Sequence, residues 1–149
     1  MGRARRCKRG QIVTRINYLA LALVVVAAFI ASSLWYSPLI FGKAFLELSG
    51  VAPIAGPDPV RIAYELVRTF VLAFVIARLF ILVRITNWKS ALNLGFLLWV
   101  GFPVVLLTGS MLWQNVPWRL AAIHSGDWLV KMLLISLILG VWRKTAPTP

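Results

Sequence analysis

The chain has 149 residues, 60% of them hydrophobic, and its sixteen basic against four acidic residues leave a formal charge of +12. With only 13% charged residues it is not an ordinary water-soluble domain, in which charged side chains make up about a quarter. The basic residues cluster at the ends of apolar runs rather than on a folded basic domain, which sets nucleic acid aside and points to lipid headgroups.

Residues 1–15 form a basic arm carrying Arg3, Arg5, Arg6, Lys8, Arg9 and Arg15, suited to the anionic headgroups of an inner leaflet. It holds the only cysteine, Cys7, so no intrachain disulfide, thiol pair or cysteine-based metal site is open to the chain. An apolar run follows from about 16 to 36. A signal peptide with Ala31 and Ser33 at its cleavage site is the competing reading, but the run is long for that and near the ~20 residues that span a bilayer.

The next connection predicts a short interfacial helix, with Ser37 as N-cap, Pro38 as first residue and Gly50 closing it. Phe41, Phe45 and Leu48 share its apolar face, and Lys43 and Glu47 are spaced as an i,i+4 pair. A proline-rich loop ends at Asp58, the N-cap of a second long helix beginning near Pro59, with its apolar run over 62–83. Apolar runs over 91–112 and 119–142 give two more, and residues 143–149 form a tail. Pro103 predicts a kink in the third. Close helix contacts are expected at Ala27, Ala28, Ala31 and Ser32 of the first helix and at Gly95 and Gly101 of the third.

Runs this long without strand alternation satisfy their backbone in lipid only as helices, so the fold class is all-α, a polytopic membrane four-helix bundle with a short interfacial helix after helix one. Lys and Arg number ten on the side of the termini (the six of the arm, Arg84, Lys89, Arg143, Lys144) against three on the other (Lys43, Arg61, Arg119). The positive-inside bias then places both termini in the cytoplasm, with the 37–61 and 113–118 connections outside. Trp35, Tyr36, Trp113 and Trp118, with Lys43, suit the outer border as interface anchors, and Trp88 and Trp142 the inner one. Trp99 and Trp128 fall inside the apolar runs and each need a partner for the indole N–H.

Charges within hydrocarbon cost a few kcal/mol each, about 2.5–3.5 on insertion scales, and each requires an account. Arg78 can snorkel to the inner headgroups. Glu65 and Arg68 share a face of helix two with Arg61, and His124, Asp127 and Lys131 share one of helix four. Turned together they make an intramembrane cluster of two carboxylates and two cations, neutral without His124, in the outer half. Two uses compete: an ion-pair network that fixes helix register, or a proton or solute path in which Asp127 and His124 exchange protons and Arg68 and Lys131 hold an anion.

No catalytic residue is assigned. One histidine rules out a multi-histidine metal centre, no nucleophile elbow or phosphate loop occurs, and no cofactor is implied. Ser110, Ser125 and Ser136 read as interhelical hydrogen-bond donors.

The run Asn17-Tyr18-Leu19-Ala20, the block from Leu34 through Trp35, Tyr36, Ser37, Pro38, Leu39, Ile40, Phe41, Gly42 and Lys43 to Ala44, and Trp99-Val100-Gly101-Phe102 resemble domain-of-unknown-function family 1761. The resemblance spans Asn17 to Trp142 and implies a small four-helix membrane protein without an assigned activity; the basic arm is a departure from it. The expected role, in a bacterial inner membrane, is a small transporter or channel component, with a structural or assembly partner of a larger membrane complex as the alternative; the expected partners are further copies of the chain, as a homo-oligomer, or a larger membrane complex. An enzyme acting on a lipid-soluble substrate ranks third and would need a pocket open to the bilayer beside His124 and Asp127.

Overall fold

The computed structural model describes residues 13–52, 56, 58–142 and 144–145. Residues 1–12 with Cys7, residues 53–55 and 57 of the proline-rich loop, Arg143 and residues 146–149 lie outside the described residues. What is described is helical, apart from an antiparallel backbone pairing of Val13–Arg15 with Lys144–Thr145.

Helix α1 (Tyr18–Trp35) starts at Asn17, whose side chain caps the Ala20 N–H and also donates to the Trp142 carbonyl at 3.2 Å. Helix α2 (Gly42–Ser49) ends at Gly50, left-handed at φ 65° as glycine allows. Helix α3 (Pro59–Leu82) starts as expected from Asp58, which accepts from Val60 N at 3.0 Å and Arg61 N at 3.4 Å, with Pro59 at the first helical position. Helix α4 (Trp88–Trp99) is capped by Asn87, passes through a π turn at Val100–Val104 and continues as α5 (Val105–Trp113). Helix α6 (Trp118–Val141) completes the set.

Three helical stretches are long and apolar enough to cross a membrane: Tyr18–Trp35, Trp88–Trp113 and Trp118–Val141. Helix α3 is of similar length, but Arg61, Glu65, Arg68 and Arg78 keep it from ranking with them.

The expectations for the short interfacial helix are corrected. The short helix begins at Gly42, not Pro38, because residues 36–41 form a reversal in which Phe41 N bonds Trp35 O at 3.1 Å and Gly42 N bonds Ser37 O at 2.9 Å. Ser37 caps nothing, and its hydroxyl is buried without a partner. Gly42 presses on the Tyr36 and Ser37 backbone, where a Cβ would collide. Lys43 and Glu47 do not pair among the described residues. At Pro103 the missing N–H is absorbed by the π turn, and one helical stretch runs from Trp88 to Trp113.

The main apolar cluster lies in one half of the molecule, while Ala28, Leu120, Ala121 and Ile123 are buried in the other. The cluster comprises Ala20, Leu21 and Val24 from the start of α1, Ala73, Ile76, Ala77 and Phe80 from the end of α3, Ile85 just after it, Ala91 from the start of α4, and Met132, Ile135 and Leu139 from the end of α6. These segments meet at the end where the two chain ends pair. At the far end α3 has no buried residue before Thr69, and a cavity stands between it, α1 and α6, whereas α1 and α6 stay in contact there through Trp35 and Gly126.

The glycines explain the tightest contacts. Gly95 faces Ser136 and the Met132 carbonyl, Gly126 faces the Trp35 ring, and Gly140 faces Ala91. Gly101, expected in a helix contact, meets nothing within 4 Å. In α1 the contact stripe is Ala20, Val24, Ala28 and Ser32; Ala27 and Ala31 are only partly buried.

Candidate functional site

The site occupies the far half. Lys131 lies ~20 Å from one end of α6 and ~15 Å from the other at ~1.5 Å per residue, and its side chain is 3% exposed. A buried ammonium needs partners, and it has two. Its Nζ is 2.8 Å from Glu65 Oε1 of α3 and 3.1 Å from Asp127 Oδ2 one turn earlier on α6.

Each carboxylate is held a second time. Ser32 of α1 donates to Asp127 Oδ1 at 2.5 Å, the short geometry of a charge-assisted hydrogen bond. Arg68 Nη2 lies 2.7 Å from Glu65 Oε2 and 2.9 Å from Oε1. One network thus joins α1, α3 and α6, with two anions (Glu65, Asp127) against two cations (Arg68, Lys131). Trp128 supplies an aromatic wall, its ring 5.4 Å from the Arg68 guanidinium and 5.7 Å from Lys131 Nζ.

His124, one turn above Asp127, is not in ion-pair contact with it. Its Nδ1 is hydrogen-bonded to the Tyr36 hydroxyl at 2.8 Å, and Phe45 of α2 packs edge-on against its ring. Arg61 pairs with its own N-cap, Nε 3.1 Å from Asp58 Oδ2. A cavity of about 500 Å³ opens above the network, walled by α1, α2, α3 and α6 and the start of the loop after α2. Glu65, Arg68, His124, Asp127 and Lys131 all line it.

Several contributors escape sequence reasoning. Ser32 and Tyr36 count there as a small residue and an interface anchor, yet both turn toward α6. Their four-residue spacing, continuing the Val24–Ala28 stripe, was the available signal. Trp35 likewise donates its Nε1–H to the Ile123 carbonyl at 3.0 Å. Trp88, Trp113, Trp118 and Trp142 are exposed at helix ends, as is Lys43 on α2. Trp99 finds its partner in the Ser125 carbonyl at 2.8 Å. The expected serine donors are corrected: Ser110 bonds back to Leu106 O within its own helix, Ser136 Oγ is buried without a partner, and Ser125 contributes its carbonyl instead. No group of three potential metal ligands occurs among the described residues.

Fold and site together define a helical protein with at least three segments suited to a bilayer and a charged network between its helices. The chain matches the family described as protein of unknown function (DUF1761) over residues 19–140 and belongs to that family. No curated protein and no solved structure matches it.

Proposed function

We propose that the chain is a four-crossing protein of a bacterial inner membrane whose charged cavity binds a solute from the outer side, as a small transporter or a component of one. The fourth crossing is α3. The two chain ends pair with each other, and three crossings would leave them on opposite sides. At ~1.5 Å per residue α3 is ~36 Å long, enough to span ~30 Å of hydrocarbon. Its Glu65 and Arg68 are accommodated by the network with α6. The bias of ten basic residues against three supports cytoplasmic termini and an outward cavity, and exposed Trp88, Trp113, Trp118 and Trp142 would then lie at the two borders.

The observation that carries the reading is Lys131, a charge at the middle of an apolar helix forming the floor of an open cavity. Ionisable groups at that depth are expensive, and their usual use is on ion or solute paths. Asp127 and His124, one turn apart beside it, are the groups able to exchange protons. The structural alternative, a network that only sets helix register or an assembly role in a larger complex, draws on the saturation of both carboxylates and on the open face of α5 around Gly109. That face also suits a second copy of the chain.

Proton flux into vesicles loaded with a pH-sensitive dye separates the two. Under an imposed potential, wild-type protein should acidify the lumen faster than empty vesicles, and Asp127→Asn should fold yet reduce the flux to background. His124→Gln, outside the ion pairs, should lower it without unfolding. Wild-type flux no greater than that of empty vesicles, or folded Asp127→Asn and His124→Gln proteins with full flux, contradicts the reading.

A further inference from the structure

We infer that the outer cavity holds the anionic headgroup of an amphiphile that enters sideways between α1 and α3, with Arg68 as the residue that binds the anion. This deepens the reading of the cavity as a solute site and rests on α3 crossing the membrane.

The sign of the ligand follows from counting donors and acceptors. All four carboxylate oxygens of Glu65 and Asp127 are engaged: Arg68 and Lys131 take those of Glu65, and Ser32 and Lys131 those of Asp127. Arg68, by contrast, spends only its Nη2 on Glu65, and its Nε and Nη1 have no partner among the described residues. A guanidinium carries five N–H donors. The side chain is 45% exposed and lines the cavity, so the unspent donors suit a carboxylate or phosphate, the groups that arginine binds in fork geometry. A cation would find both carboxylates already neutralised by Arg68 and Lys131.

The route follows from the shape. α4 and α5 do not contribute to the cavity; α6 is its back wall, and its front lies between Ser33 of α1 and Arg68 of α3, both exposed. The lining reaches Phe29, ~9 Å below the end of α1, and Arg68, ~14 Å below the start of α3. A mouth running that far down the side of two crossing helices opens onto acyl chains. Phe29, Phe45 and Trp128 give the remaining wall an apolar character that suits the upper part of a chain.

Native mass measurement of the full chain in uncharged detergent tests this with three probes: phosphatidylglycerol, diacylglycerol of the same acyl chains, which lacks the phosphate, and inorganic phosphate. Phosphatidylglycerol should be retained as one tight adduct at about one tenth of the concentration that diacylglycerol needs, or less, the scale of a lost charge-assisted hydrogen bond, and inorganic phosphate should not compete at equal concentration. Arg68→Gln should abolish the preference, and Arg84→Gln, at the other end of α3, should keep it. Ser33→Trp touches no ion pair and should block the mouth while the protein stays folded. Equal retention of both lipids, an unchanged preference in folded Arg68→Gln or Ser33→Trp, or tight binding of inorganic phosphate overturns the inference. Tight phosphatidylglycerol binding without proton flux would defeat the transport reading alone; proton flux without lipid preference would defeat this inference alone.

Discussion

Lys131→Met is expected to destabilise the protein by about 3–5 kcal/mol, the range for removing one partner of a buried ion pair. The replacement fills a similar volume but withdraws the cation bonded to both Glu65 and Asp127. Asp127, its side chain 6% exposed, then keeps Ser32 alone against a buried negative charge. Adding Asp127→Asn to Lys131→Met removes that charge and should recover a large part of the loss, since neutral groups leave no uncompensated ion. Unfolding by a denaturing detergent, followed by helical circular dichroism, reads both. A Lys131→Met protein as stable as wild type would mean that the network contributes nothing.

The second large effect is at the α4–α6 contact. A Cβ at Gly95 would overlap Ser136 Oγ, lie 2.9 Å from Ser136 Cβ and sit 3.0 Å from the Met132 carbonyl oxygen. The carbonyl is backbone and cannot swing aside, so Gly95→Val should cost at least the ~1–3 kcal/mol of an overpacked core. Ser136→Gly in the same chain clears the side-chain half of the clash and should restore part of the stability. Ser136→Ala alone should be neutral or stabilising, because it removes a buried hydroxyl that has no partner. The same detergent unfolding curves check all three; Gly95→Val with wild-type stability would show that the helices are not in contact there.

What the sequence made legible is set by locality. Asp58 followed by Pro59, and Gly50 after a helical run, are signals complete within a few residues, and α3 and α2 start and stop accordingly. Ser37 and Pro38 give an equally good local signal that fails, because the chain reverses tightly enough to seat Gly42 on the Tyr36 and Ser37 backbone. Charges are readable in a greasy helix because each is an exception; spacing alone puts Glu65 and Arg68 on one face and Asp127 and Lys131 on another. The rotation of α1 is not readable. It is apolar all round, so no polar face tells Ser32 and Tyr36 to point at α6. Gly95 and Gly101 look alike in sequence, yet only Gly95 meets a neighbour, because small residues permit close approach without giving its direction.

Both uses proposed for the cavity require that α3 cross the membrane and carry Glu65 to Lys131 within it. Single cysteines in a Cys7→Ser background, labelled by a maleimide that cannot pass the membrane, test it directly. With α3 crossing, Ser49→Cys and Asn115→Cys are labelled in intact spheroplasts, while Thr86→Cys and Thr145→Cys react only after lysis. Labelling of Thr86→Cys alongside Ser49→Cys from the same side would contradict it.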